Sequence, residues 1–190
     1  MKVRFSPSSL LLFLVLLWQS PTVFLATFLA AAFHELGHLA AAALLHVRFR
    51  AIELDLLGAR LYPEGLLPSY RAEAILAAAG PFFSLLLALF CVGHTGAFFE
   101  AMLAATLSFA LFNLLPILDF DGGRVVFCLL SVLFSEAAAR RVLAVSSYIC
   151  LLLLFALSSC LLLRFGQSPV LGILAASLFV KTFLTQERDY

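Results

Sequence analysis

The chain has 190 residues, of which 64% are hydrophobic and only 12% are charged, and its mean hydropathy is +1.10. Soluble domains carry about 25% charged residues, so this composition excludes an ordinary soluble or disordered chain and predicts a polytopic membrane protein. The formal net charge of +1 gives no indication of a nucleic-acid partner.

Apolar runs predict an all-α fold of about six transmembrane helices. Residues 10–45 form an apolar stretch too long for one crossing, and Ser20 and Pro21 mark its natural break. The predicted spans are residues 3–18, 22–45, 72–92, 97–115, 141–163 and 170–184, and a shorter helix is predicted over 122–134. Since no linker or repeat indicates a second domain, residues 1–190 are expected to form a single transmembrane core.

The second predicted span contains His34, Glu35 and His38 in the pattern H-E-x-x-H. Residues four apart share a helix face, so both imidazoles can reach one metal ion, and Glu35 can act as general base on a water molecule beside it. Zn²⁺ is the expected ion, because catalytic zinc sites use three protein ligands of this kind. The structural alternative makes both histidines hydrogen-bond donors in helix packing and pairs Glu35 with an arginine.

A short β-hairpin is predicted in the connection that follows this span. Apolar and polar residues alternate over 47–50 and again over 53–56, with a slip between them and a turn near Gly58. Two roles remain open for the hairpin. It is either an amphipathic connection at the membrane surface or an edge strand that pairs with a locally unwound substrate.

The candidate for a third metal ligand follows the fourth predicted span. Pro116 ends that span, and two glycines beginning at Gly122 allow a tight turn, so Asp119 and Asp121 are carried on an irregular segment. Taken alone, Asp121 would be the N-cap of a helix beginning at Gly122, and Asp119 a loop carboxylate. The two histidines reverse this preference for one of the two aspartates.

The positive charges predict the orientation of the chain. On the six-span scheme, all 12 lysines and arginines except Arg164 fall on one side of the membrane. Because Lys and Arg concentrate on the cytoplasmic side, both termini, the hairpin and the aspartate segment are expected in the cytoplasm or at its face. The histidine and aspartate motifs therefore meet at the same membrane face.

The combination of motifs resembles the site-2 protease family of intramembrane zinc metalloproteases. That family carries HExxH in one span and N-x-x-P-x-x-x-x-D-G in another, and Asn113, Pro116, Asp121 and Gly122 fill the second pattern in register. The Ala79-Gly80-Pro81 sequence is similar to the A-G-P of the family's third span.

This resemblance implies roles for individual residues. It makes His34, His38 and Asp121 the zinc ligands and Glu35 the catalytic base. It makes Asn113 a polar residue near the bound substrate or the developing oxyanion. Compactness and the HELGH, NLLP and DGGR segments resemble most closely the small bacterial sporulation-type branch, which lacks PDZ and cystathionine-beta-synthase-type domains.

The implied function is an intramembrane zinc metalloendopeptidase that cleaves a transmembrane or membrane-tethered protein near the cytoplasmic face. A sigma-factor precursor or an anti-sigma factor would be such a substrate, and the bacterial cell membrane the location. The alternative is a metal-ion transporter or sensor that uses the same His/Asp cluster. Only Glu100 and His94 lie near the far side, which disfavours a transport path through the membrane. The sequence does not indicate an oligomeric state.

Overall fold

A computed structural model describes residues 2–5, 20–47, 49–55, 58–63, 69–118 and 120–165. The elements are, in chain order, β1 (Lys2–Phe5), α1 (Pro21–Leu44), β2 (Phe49–Asp55), β3 (Gly58–Pro63), α2 (Tyr70–Val92), α3 (Ala97–Asn113), α4 (Asp121–Leu133) and α5 (Glu136–Phe165). The chain divides into two compact units, Met1–Leu114 and Leu115–Tyr190. The expectation of a single core domain stays a prediction.

In the first unit, α1, α2 and α3 pack against one another in all three pairs. Small side chains form much of their contact surface: Ala26, Ala30 and Ala42 of α1 and Ala77 of α2 are fully or almost fully buried. Many large apolar side chains, such as Leu89, face outward. Small residues between helices and large apolar residues outside are the arrangement expected in lipid, where backbones must approach closely.

Local capping explains where α1 begins and ends. Ser20 occupies the N-cap position, its hydroxyl accepts the N–H of Val23 at 3.4 Å, and Pro21 takes the first helical position. The chain leaves the helix through His46, whose φ of 55° is the left-handed conformation common after a helix C-terminus. The helix therefore follows the predicted second span closely.

The strands form a small sheet in the order β1-β2-β3. β2 and β3 pair antiparallel over the residues of the predicted hairpin, and their register shifts between Phe49 and Ala51, beside the slip in the alternation. β1 pairs parallel with β2, with Lys2 opposite Ala51. This third strand was not predicted from the sequence.

The predicted count of six spans is not supported. Among the described residues, three helices are long and apolar enough to cross a membrane: Pro21–Leu44, Tyr70–Val92 and Glu136–Cys160. The fourth predicted span is α3, which has only 17 residues and would measure about 25 Å against a hydrocarbon core of about 30 Å.

The first predicted span is wrong where it begins, because residues 3–5 belong to strand β1. Alternating charged and apolar residues at Lys2–Phe5 suit a strand, which a hydropathy average over the whole run conceals. The remainder of that span and the last predicted span, residues 170–184, lie outside the described residues.

In the second unit, α4 and α5 pack against each other. The predicted shorter helix over 122–134 corresponds to α4, and the fifth predicted span lies within α5, which begins earlier than predicted, at Glu136.

Candidate metal centre

His34 and His38 lie side by side on one face of α1, with only 3% and 5% of their surfaces exposed. Their Nε2 atoms are 3.3 Å apart. In a tetrahedral zinc site with Zn–N bonds of about 2.0–2.1 Å, two ligand atoms are separated by about 3.3 Å. The two nitrogens therefore have the spacing that one ion requires.

The other ring nitrogens are bound to α2. His38 Nδ1 lies 2.8 Å from the carbonyl oxygen of Leu76, which only accepts, so Nδ1 carries the proton and the Nε2 of the neutral ring carries the lone pair. His34 Nδ1 lies 2.9 Å from the hydroxyl of Ser84, which accepts when His34 adopts the same tautomer. Such outer hydrogen bonds orient histidines that bind metals.

Gly80 leaves space beside the Nε2 atoms of His34 and His38. It lies between Leu76 and Ser84 at four-residue intervals, on the face of α2 that packs on the histidines. A Cβ atom at Gly80 would lie 2.8 Å from His34 Nε2 and would overlap His38 Nε2 still more closely. Only glycine fits at this position without moving an imidazole.

The roles of Leu76, Gly80 and Ser84 were not predicted from the sequence. Gly80 belongs to the A-G-P motif, which indicated no role for it. The available signal was the spacing: a glycine and a serine lie four residues apart in the apolar part of α2, and the structure buries both on the same side.

Two further predicted site residues belong to the same unit. Glu35 follows His34 on α1, about 100° around the helix, and is half-buried. Asn113 ends α3, and its Nδ2 donates to the carbonyl of Phe109 at 3.0 Å. The ring of Phe109 lies 5.9 Å from that of His34, so Asn113 stands one helical turn from a residue that contacts the histidine pair.

Asp121 belongs to the second unit, where it is the first residue of α4 and 9% exposed. The interpretation of Asp121 as N-cap is wrong, because the helix begins one residue earlier than predicted and Phe120 occupies the N-cap position. A carboxylate in a first turn lies near the positive end of the helix dipole, which favours its charged form. Asp119, the other candidate, lies outside the described residues.

Gly123 lets the start of α4 approach the preceding segment. A Cβ atom at Gly123 would overlap the backbone carbonyl of Ile117. Gly123 is therefore needed for this close packing. The tight turn predicted at these two glycines is wrong, because Gly122 and Gly123 both lie inside α4 and neither has a positive φ.

Comparison with known proteins agrees with this architecture. Residues 93–157 match the model of peptidase family M50, a stretch that includes Asn113 and Asp121 and does not reach the histidines. The structure of the site-2 protease from Methanocaldococcus jannaschii is similar over 96% of this chain and 89% of that chain, with a TM-score of 0.63 and 19% sequence identity. The chain has the site-2 protease fold. The search of curated proteins found no match.

The predicted resemblance to the site-2 protease family is confirmed in the fold and in the match of residues 93–157 to peptidase family M50. The narrower likeness to the sporulation-type branch is not confirmed. The three candidate membrane spans among the described residues agree with an integral membrane protein.

Proposed function

We propose that the chain is an intramembrane zinc metalloendopeptidase that cleaves a transmembrane or membrane-tethered protein near its cytoplasmic boundary. The observation that carries the proposal is the buried pair of imidazoles, His34 and His38, whose Nε2 atoms are 3.3 Å apart and whose Nδ1 atoms are held by α2. The match to family M50 gives independent support.

In this proposal, His34, His38 and Asp121 together hold one Zn²⁺. Two imidazole nitrogens and one carboxylate oxygen form a ligand set typical of catalytic zinc, which leaves a position open for the reaction. The residues of the first unit fit such an ion, because the two histidines are already oriented and Gly80 leaves space beside their Nε2 atoms.

Zinc, when bound, supplies Lewis-acid polarisation of the scissile carbonyl and of the attacking water. The Glu35 carboxylate accepts a proton from the water whose oxygen attacks the carbonyl carbon, and it returns that proton to the amine nitrogen as the C–N bond breaks. Asn113 retains a second N–H beyond its bond to Phe109, and this group donates to the substrate backbone.

Zinc measurement on ligand variants tests the assignment. His34→Ala, His38→Ala and Asp121→Asn should each lower zinc affinity at least about tenfold, because each removes one ligand. Asp119→Asn is the matched control and should keep zinc. The dissociation constant is measured by chelator competition on purified protein. If Asp121→Asn keeps zinc and Asp119→Asn loses it, Asp119 is the third zinc ligand. A wild-type chain that binds no zinc would overturn the proposal.

The β-sheet supplies a place for the substrate, which a protease must receive in extended form. The order β1-β2-β3 puts β3 at an edge of the described sheet. We propose that β3 pairs with the unwound substrate. Asp55 is paired with Gly58, so two residues connect β2 to β3. In a hairpin with a two-residue connection the pair next to the turn is hydrogen-bonded, and hydrogen-bonded and non-hydrogen-bonded pairs alternate from there. The N–H groups of Ala59 and Leu61 then point away from β2.

Proline at Leu61 should therefore reduce cleavage about tenfold while zinc affinity is unchanged, since it removes an outward donor and spares the bonds to β2. Leu61→Ala, which keeps the N–H, should cleave at nearly the wild-type rate. Cleavage of a transmembrane peptide by protein reconstituted in vesicles measures both. Equal rates for the two variants would exclude pairing at this edge.

The proposed function also includes a membrane orientation, a cellular location and a substrate class. The distribution of Lys and Arg supports termini in the cytoplasm. A bacterial cell membrane and a sigma-factor precursor or anti-sigma factor as substrate follow from the sequence resemblance alone.

A further inference from the structure

Two serine hydroxyls of α5 hold the backbone segment that leads to Asp121. The Oγ of Ser146 donates to the carbonyl of Pro116 at 2.9 Å. The Oγ of Ser147 accepts the N–H of Leu118, also at 2.9 Å. Both contacts lie within the second compact unit and join residues far apart in sequence.

These bonds satisfy backbone groups that lie outside the helices. The chain between α3 and α4 is irregular, and Pro116 has no N–H to contribute to a turn. A backbone carbonyl or N–H that is shielded from water is unfavourable unless it is hydrogen-bonded, so the two groups here require partners. The hydroxyl of Ser147 is fully buried and donates to the carbonyl of Leu143 at 2.7 Å, which leaves its oxygen to accept from Leu118.

Residues 116–118, which the serines hold, are in direct contact with the start of α4. The N–H of Phe120 donates to the carbonyl of Ile117 at 2.9 Å, and Gly123 packs directly on that same carbonyl. Ile117 itself is fully buried between the two residues that the serines bind. A displacement of Ile117 would therefore move the first turn of α4.

We propose that Ser146 and Ser147 are positioning residues of the metal centre, which fix the carboxylate of Asp121 by holding residues 116–118. The inference rests on the proposed function, in which Asp121 is the third zinc ligand. Neither hydroxyl belongs to the proposed ligand set, and the partners of both are backbone groups. They act by limiting the positions that the ligand-bearing turn can adopt.

Zinc affinity of serine variants tests this role. Ser147→Ala and Ser146→Ala, made separately, should each raise the zinc dissociation constant about tenfold, the lower end of the effect of losing a group that orients a metal ligand, because they act on Asp121 through the backbone and not by direct contact. Ser159→Ala is the matched control. Its hydroxyl lies on the same helix and bonds to the carbonyl of Phe155 of that helix, so its loss should leave zinc affinity unchanged.

Combining Ser147→Ala with Asp121→Asn separates a positioning role from a general structural one. If the hydroxyl acts through Asp121, adding Ser147→Ala to Asp121→Asn should cause little further loss of zinc affinity. If Ser147→Ala lowers zinc affinity equally in the wild-type chain and in Asp121→Asn, the inference is overturned. It is also overturned if both single serine variants keep wild-type zinc affinity while Asp121→Asn weakens binding. If Asp121→Asn itself leaves zinc affinity unchanged, the proposed ligand fails, whatever the serines do.

Discussion

Glu35→Gln is expected to abolish peptide-bond cleavage and to leave zinc bound with wild-type affinity. Glutamine keeps the shape of the side chain but has no carboxylate to accept a proton from water, and a general base usually contributes about 10²- to 10⁴-fold. Zinc should remain, because Glu35 is not one of the proposed ligands. The variant is reconstituted in vesicles, cleavage of a transmembrane peptide is followed over time, and zinc is quantified by mass spectrometry on the same preparation.

Glu100→Gln is the control for Glu35→Gln. It makes the same change in charge at an exposed glutamate near the start of α3, and cleavage should be unaffected. Wild-type cleavage by Glu35→Gln would exclude Glu35 as the base. Loss of zinc from Glu35→Gln would show that the residue supports the metal centre, and loss of activity would then no longer identify a base.

Local features of the site were predictable from the sequence. The spacing of His34 and His38 puts both side chains on one face of any α-helix, and the structure has their Nε2 atoms adjacent. The break before α1 was also readable, because Ser20 and Pro21 are capping residues in sequence. Whether these histidines and Asp121 bind zinc stays a prediction, since helix periodicity fixes a face and not an ion.

The partners of the histidines were not predictable, because they depend on which helix packs against α1 and in which register. The atom that holds His38 is the backbone carbonyl of Leu76, a group that every residue possesses. Ser84 was visible as a polar residue in an apolar run, but the sequence did not pair it with His34. Gly80 acquires its importance only when α2 lies against these two imidazoles.

The N-terminal strand shows the same limitation for the fold. Lys2–Phe5 adopts strand structure by pairing with residues 51–54, which lie beyond the whole of α1. Hydropathy averages sum over neighbours in sequence and carry no information about such pairing. The apolar residues after β1 therefore extended the predicted first span over residues that belong to the sheet.

Gly80→Ala should lower zinc affinity by up to about a hundredfold while the fold is retained. The added methyl group would overlap the Nε2 of His38 and lie 2.8 Å from that of His34, so at least one imidazole must leave its position. Overpacking of this kind costs about 1–3 kcal/mol, and the upper value corresponds to about a hundredfold loss of zinc affinity. The stability of helix α2 itself should not fall, because alanine is more favourable than glycine in a helix interior by about 1 kcal/mol.

Gly93→Ala, on the residue that follows α2, separates the steric effect of Gly80→Ala from any general effect of replacing a glycine. A Cβ atom at Gly93 would meet only the carbonyl oxygen of Phe90, at an ordinary 3.7 Å, so zinc affinity should be unchanged. Chelator competition gives the zinc dissociation constant of each variant, and thermal unfolding without metal gives its stability. If Gly80→Ala binds zinc as tightly as Gly93→Ala does, then the ion does not lie where the two Nε2 atoms converge. A drop in the metal-free stability of Gly80→Ala is expected as well, because the methyl group displaces an imidazole whether or not the ion is bound.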